Sequence, residues 1–99
     1  MLFMRQGRPK AGVSVEDQER AVRLFQSWKP PADLKIQAHD ASANGGDYVI
    51  VETDSVPALI EAIQVWAPML AYEVTPIVPV EAGVTGLVRA CETRAQLLA

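Results

Sequence analysis

The chain has 99 residues, 49% hydrophobic and 21% charged, which is room for one domain and excludes a disordered chain. Its formal net charge of −3 excludes the basic footprint that nucleic acid or an anionic membrane surface requires. A single cysteine, Cys91, excludes an internal disulfide framework and points to a reducing compartment, so a soluble cytoplasmic protein is expected.

Residues 1–6 read as a first strand, and the apolar residues 1–4 are too few for a signal-peptide core or a membrane span. Gly7, Pro9 and Gly12 mark a loop. Ser14 is placed as a helix N-cap, with Asp17 three residues on completing a capping box. Ala21, Leu24, Phe25 and Trp28 then fall on one helical face, and Lys29-Pro30-Pro31 stops the helix. Residues 34–40 alternate apolar and polar, as a half-buried strand does. Asn44-Gly45 signals a hairpin turn. Residues 47–53 form the clearest strand, apolar on both faces in its middle and therefore central. Asp54 or Ser55 caps a second helix, with Pro57 in its first turn. Its inner face is Leu59, Ala62, Ile63 and Trp66, and Pro68 closes it. Residues 72–80 give a fourth strand, which Pro76 confines to an edge because proline cannot donate to the ladder.

Phe25-Gln26-Ser27-Trp28-Lys29-Pro30 and Ile63-Gln64-Val65-Trp66-Ala67-Pro68 share Gln-x-Trp-x-Pro at equivalent helix ends. That echo points to two related strand–helix–strand units. Two such units in series with right-handed crossovers predict an α+β, ferredoxin-like βαββαβ fold with an antiparallel sheet of order 4-1-3-2. Residues 1–80 make this domain. Residues 81–99 carry Val84, Leu87, Val88, Cys91, Ala95 and Leu98 at helical spacing and read as a third helix, part of the domain or of a dimer interface.

Both core helices of such a fold cover one sheet face, so the other is left bare. A domain of this size buries only roughly 60–65% of its unfolded surface, and a second copy is the common remedy. A homodimer through the open sheet face is therefore expected, enclosing a cavity for a small organic ligand. Period-two alternation assigns to that open face Phe3 and Arg5 on the first strand and Lys35, Gln37 and His39 on the second. It adds Tyr48, Ile50 and Glu52 on the third and Glu73, Thr75 and Ile77 on the fourth.

The opening Met-Leu-Phe-Met, Leu24-Phe25-x-x-Trp28-x-Pro30-Pro31, residues 48–54 (Tyr-Val-Ile-Val-Glu-Thr-Asp), Trp66-Ala67-Pro68 and Tyr72-Glu73-Val74-x-Pro76-Ile77-Val78 resemble a family of small bacterial proteins with a domain of unknown function. The resemblance covers nearly the whole chain and implies a ferredoxin-like fold of the dimeric α/β-barrel type. That superfamily includes cofactor-independent quinol monooxygenases, haem-degrading monooxygenases, muconolactone isomerases, polyketide cyclases and ligand-sensing modules, and fold analogy alone selects none of them.

Among candidate groups, His39 is the only histidine and suits a general base, against the plainer reading of a solvated strand residue. Glu52, among apolar neighbours, would be a second acid or base, or a structural partner of Arg5. Phe3, Arg5, Gln37, Tyr48, Ile50 and Thr75 are the expected ligand contacts. Trp28 and Trp66 read as core anchors, and Cys91 as packing rather than nucleophile. One histidine and one cysteine make no closed metal site, and no motif calls for a cofactor. The expected function is a homodimeric small-molecule-binding protein, with cofactor-free monooxygenase, isomerase or cyclase activity on an aromatic or polyketide-like compound. The alternative is a non-enzymatic ligand-binding or protein-assembly module.

Overall fold

Local chemistry sets the element boundaries in the computed structural model, which describes residues 1–99. The chain runs β1 (Leu2–Pro9), α1 (Val15–Ser27), β2 (Lys35–Ala41), β3 (Asp47–Glu52), α2 (Val56–Gln64), β4 (Leu70–Ile77) and α3 (Val80–Leu97). Ser14 caps α1 by accepting from the Asp17 amide at 3.0 Å, and Asp17 reciprocates at the Ser14 amide, the full capping box. Ser55 caps α2 with proline in the first turn. The β2–β3 turn places Gly45 at φ +88°, a conformation that suits glycine.

The sheet order is β2-β3-β1-β4, every pair antiparallel, which is the expected 4-1-3-2 read from the other edge. β4 is an edge strand and carries Pro76. β1 extends past the expected loop start, because Gly7, Arg8 and Pro9 pair with Tyr72, Ala71 and Leu70. Gly7 is not a loop glycine. A Cβ there would lie 2.6 Å from Asp47 Oδ1 and 2.7 Å from Tyr72 Cε1, so two side chains occupy the space its missing Cβ leaves.

Facing follows the alternation on two strands and departs from it on two. On β3, Val49 and Val51 are buried, as is Thr53 just beyond the strand, and Tyr48, Ile50 and Glu52 lie opposite, as expected. On β4, Glu73, Thr75 and Ile77 pair with Gln6, Met4 and Leu2 on the open side, also as expected. β1 is inverted: Phe3 and Arg5 pair with Val51 and Val49 on the helix side, leaving Met4 and Gln6 on the open face. On β2 the register slips at Gln37, between Ile36 and Ala38. This bulge reverses the faces beyond it, so His39 pairs with Val49 on the helix side while Ala38 meets Ile50.

The core joins Leu34, Val49 and Val51 of the sheet side to Ala58, Leu59 and Ala62 of α2, with Phe3, Trp28, Ile63 and Val74 packed against it. α1 contributes no buried residue, so it stands over the sheet rather than on it. Trp28 and Trp66, the echoed tryptophans, meet edge to face with ring centres 5.8 Å apart. No residue of α3 is buried, and the molecule is 61 Å along its longest axis. No helix is long and apolar enough to cross a membrane.

Candidate functional site

The gap beneath α1 is a cavity of about 600 Å³ on the helix-covered face of the sheet. Its walls are mostly apolar: Ala21, Val22 and Phe25 from α1, Ile36 and Val49 from the sheet, Ala62 and Ile63 from α2, with Trp28 and Trp66 beside them. Phe25 meets Trp66 with ring centres 6.4 Å apart, and presents its ring to His39 at 5.9 Å and 72°.

One polar cluster interrupts this wall. Asp47 opens β3 and faces Gly7 across the β1–β3 ladder. Its Oδ2 accepts from the Arg5 guanidinium, and His39 Nε2 lies 2.7 Å from the same oxygen. A carboxylate only accepts, so His39 donates through Nε2 and a neutral ring keeps its lone pair on Nδ1. The Arg5 guanidinium lies over the Tyr72 ring, 4.6 Å from its centre. The side chains of Arg5 and Asp47 are 9% and 19% exposed and that of His39 is 31%, so His39 is the most accessible member of the cluster. Arg5 Nε, Asp47 Oδ1 and the Tyr72 hydroxyl are buried without partners.

Burial pushes the Tyr72 phenol well above its ordinary range; Arg5 opposes this and Asp47 adds to it. Unfolding releases the phenol to its ordinary pKa of about 10. Above that pH the unfolded chain sheds a proton that the folded chain keeps, so stability falls as pH rises. The slope is at most about 1.4 kcal/mol per pH unit, less what solvent screening of the half-buried ring removes. Urea unfolding from about pH 9 to 11 should show this loss, and Tyr72→Phe should flatten most of it. An equal loss in Tyr72→Phe would assign it elsewhere. Tyr48 contributes with the same sign, since hydrogen bonding to Asp40 and then the charge of that carboxylate hold its phenol up.

The sequence-derived set divides between two faces. Arg5 and His39 come together at the cavity, although both were assigned to the open face, and Phe3 packs into the core on the same side. Gln37, Tyr48, Ile50, Glu52 and Thr75 lie on the opposite face and do not line the cavity. Glu52 accepts a 3.0 Å hydrogen bond from the Gln37 amide and makes no contact with Arg5 or His39. Asp47, Tyr72 and Phe25 had not been singled out for the site. Asp47 was within reach of the alternation, since it shares parity with Val49 and Val51, and a carboxylate on a buried face requires a countercharge. His39 was a candidate from the sequence, and only its facing was hidden by the bulge.

Residues 1–90 match the profile of DUF3303, a domain of unknown function, a span that takes in the whole sheet, α1, α2 and α3 as far as Ala90. No curated protein and no solved structure gives a significant match.

Proposed function

This chain belongs to the DUF3303 family, and from that starting point we propose that it binds a small, largely apolar organic molecule between α1 and the sheet. The observation that carries this reading is the apolar cavity of about 600 Å³ with a single polar cluster, Arg5–Asp47–His39, in its wall. Its size falls within the range of small-molecule sites, and its composition, apolar walls with few convergent polar groups, is theirs too. An aromatic or polyketide-like compound fits best. Its rings would lie against Phe25, Trp28 and Trp66, and one oxygen or acidic C–H would face His39 Nδ1.

The chemistry these residues supply is proton transfer. Asp47 orients His39 and balances the imidazolium formed when Nδ1 takes a proton. Returning that proton to a different atom of the ligand completes an isomerisation or accompanies a cyclisation. Deprotonating a phenol is also the opening step of a cofactor-free monooxygenation. The alternative, a non-enzymatic binding or assembly module, draws its support from the exposed apolar stripe of α3. A homodimer belongs to the proposal on either reading: the open sheet face carries the apolar residues Leu2, Met4, Ile50 and Ile77 toward one end, and two such faces meeting across a two-fold axis would form a dimeric α/β barrel.

The test is thermal unfolding of the full chain with a panel of neutral polycyclic phenols and aryl ketones. A ligand at about 100 times its Kd adds about 2.7 kcal/mol. Ala21→Trp, which fills the cavity from the inner face of α1, should abolish that gain while the chain stays folded. His39→Ala should lower affinity for hydroxylated members of the panel more than for their deoxy analogues. Stabilisation that survives Ala21→Trp unchanged places the ligand elsewhere and refutes the assignment.

A further inference from the structure

α3 presents an unusually regular apolar stripe. Val80, Val84, Leu87, Cys91 and Leu98 follow alternating steps of four and three residues, with Arg94 completing the series between the last two. Val80, Val84, Leu87 and Leu98 are 76%, 51%, 67% and 80% exposed, and Cys91 is exposed as well. Alternating steps of four and three residues are the heptad pattern, the roughly 3.5-residue period by which one helix seats against another in a left-handed pair. Gly83 and Gly86 lie inside the helix with open space around them, and no side chain caps its N-terminus. A helix of 18 residues with two interior glycines and no packing is marginal in water. Its helicity therefore calls for a partner along the stripe.

We infer that α3 pairs antiparallel with α3 of a second copy of this chain. The stripe is complementary to its own reverse. With Leu87 set opposite the partner's Cys91, Val84 falls opposite the partner's Arg94 and Val80 opposite the partner's Leu98, so every seam position from Val80 to Leu98 is used. Arg94 selects the direction. A parallel pair would bring two Arg94 guanidiniums together within an apolar seam, which like charges oppose. The antiparallel pair sets Arg94 beside the partner's Val84, one turn from the partner's Glu81, giving an opposite charge within reach. Gly83 and Ala90 flank the stripe and leave room for the second backbone. The antiparallel pair is two-fold symmetric and closes as a dimer. It requires neither a cavity ligand nor a sheet-face contact.

Cysteine cross-linking of the full chain tests both the partner and the direction, because Cys91 is the one native cysteine. Under mild oxidation, Leu87→Cys should yield a covalent dimer through residue 87 of one chain and Cys91 of the other. Wild type and Leu87→Cys/Cys91→Ala should stay uncross-linked, since like positions in the antiparallel pair are offset along the axis by about 6 Å. Leu87→Asp should weaken self-association measured by sedimentation by about tenfold or more. Cross-linking in wild type would show a parallel pair and overturn the proposal. So would a Leu87→Cys chain that is folded by circular dichroism yet forms no covalent dimer. A dimer that persists in Leu87→Asp and never cross-links at these positions leaves the sheet-face contact standing and removes the helix pair.

Discussion

Asp47→Ala is expected to cost about 3–5 kcal/mol of folding stability, because it leaves a buried guanidinium without its countercharge. Arg5 is only 8% exposed, and Asp47 is the carboxylate it pairs with. The same substitution frees His39 Nε2 from its acceptor. A domain of this size has about 5–15 kcal/mol in all, so the variant should be partly unfolded in low denaturant. The loss measures an orphaned charge rather than the net worth of the pair. Arg5→Met/Asp47→Leu, which replaces both partners with apolar groups, should therefore recover most of it. Urea unfolding of the wild type, Asp47→Ala and the double variant decides the matter. A loss below about 1 kcal/mol for Asp47→Ala would mean that water already solvates Arg5 through the cavity, as at an exposed pair.

This cluster also shows how far the sequence carries and where it stops. The alternation in β3 was legible because a central strand has apolar neighbours on both sides: Val49 and Val51 announce their own face. The caps at Ser14 and Ser55 and the edge role of Pro76 were legible because each rests on local backbone chemistry. Arg5 was not. Scored alone, a guanidinium belongs in water, and its reversal depends on Asp47, 42 residues away in sequence. The facing of His39 was misassigned for a different reason. A period of two holds only while the register does, and the extra residue at Gln37 leaves no mark in polarity. The cavity was least accessible of all. The inner face of α1 looks like any core-facing stripe, and only the tertiary fold shows α1 held away from the sheet, over an empty space rather than a packed layer.

Gly7→Ala should cost roughly 1–3 kcal/mol through overpacking, set against a smaller gain from replacing a strand glycine. The added methyl would enter space now shared by Asp47 Oδ1 at 2.6 Å and the Tyr72 ring at 2.7 Å. Neither can yield freely. Asp47 is held by Arg5 and His39 through its other oxygen, and the Tyr72 ring lies beneath the Arg5 guanidinium. The least costly relief is to swing the carboxylate away, which lengthens the His39 contact and loosens the Arg5 pair together. The two substitutions should therefore be non-additive. Once Asp47→Ala has emptied that space, Gly7→Ala should cost markedly less, with a coupling of about 0.5–3 kcal/mol in the range found for residues in contact. The cycle also reads on the proposed chemistry. If Asp47 fixes the His39 tautomer, Gly7→Ala alone should shift the imidazole nitrogen resonances away from the Nε2–H form, although residue 7 is not itself a partner of His39 or a lining residue of the cavity. Strict additivity, or unmoved resonances, would mean that Gly7 is tolerated rather than required, and that the cluster is less tightly built than its distances imply.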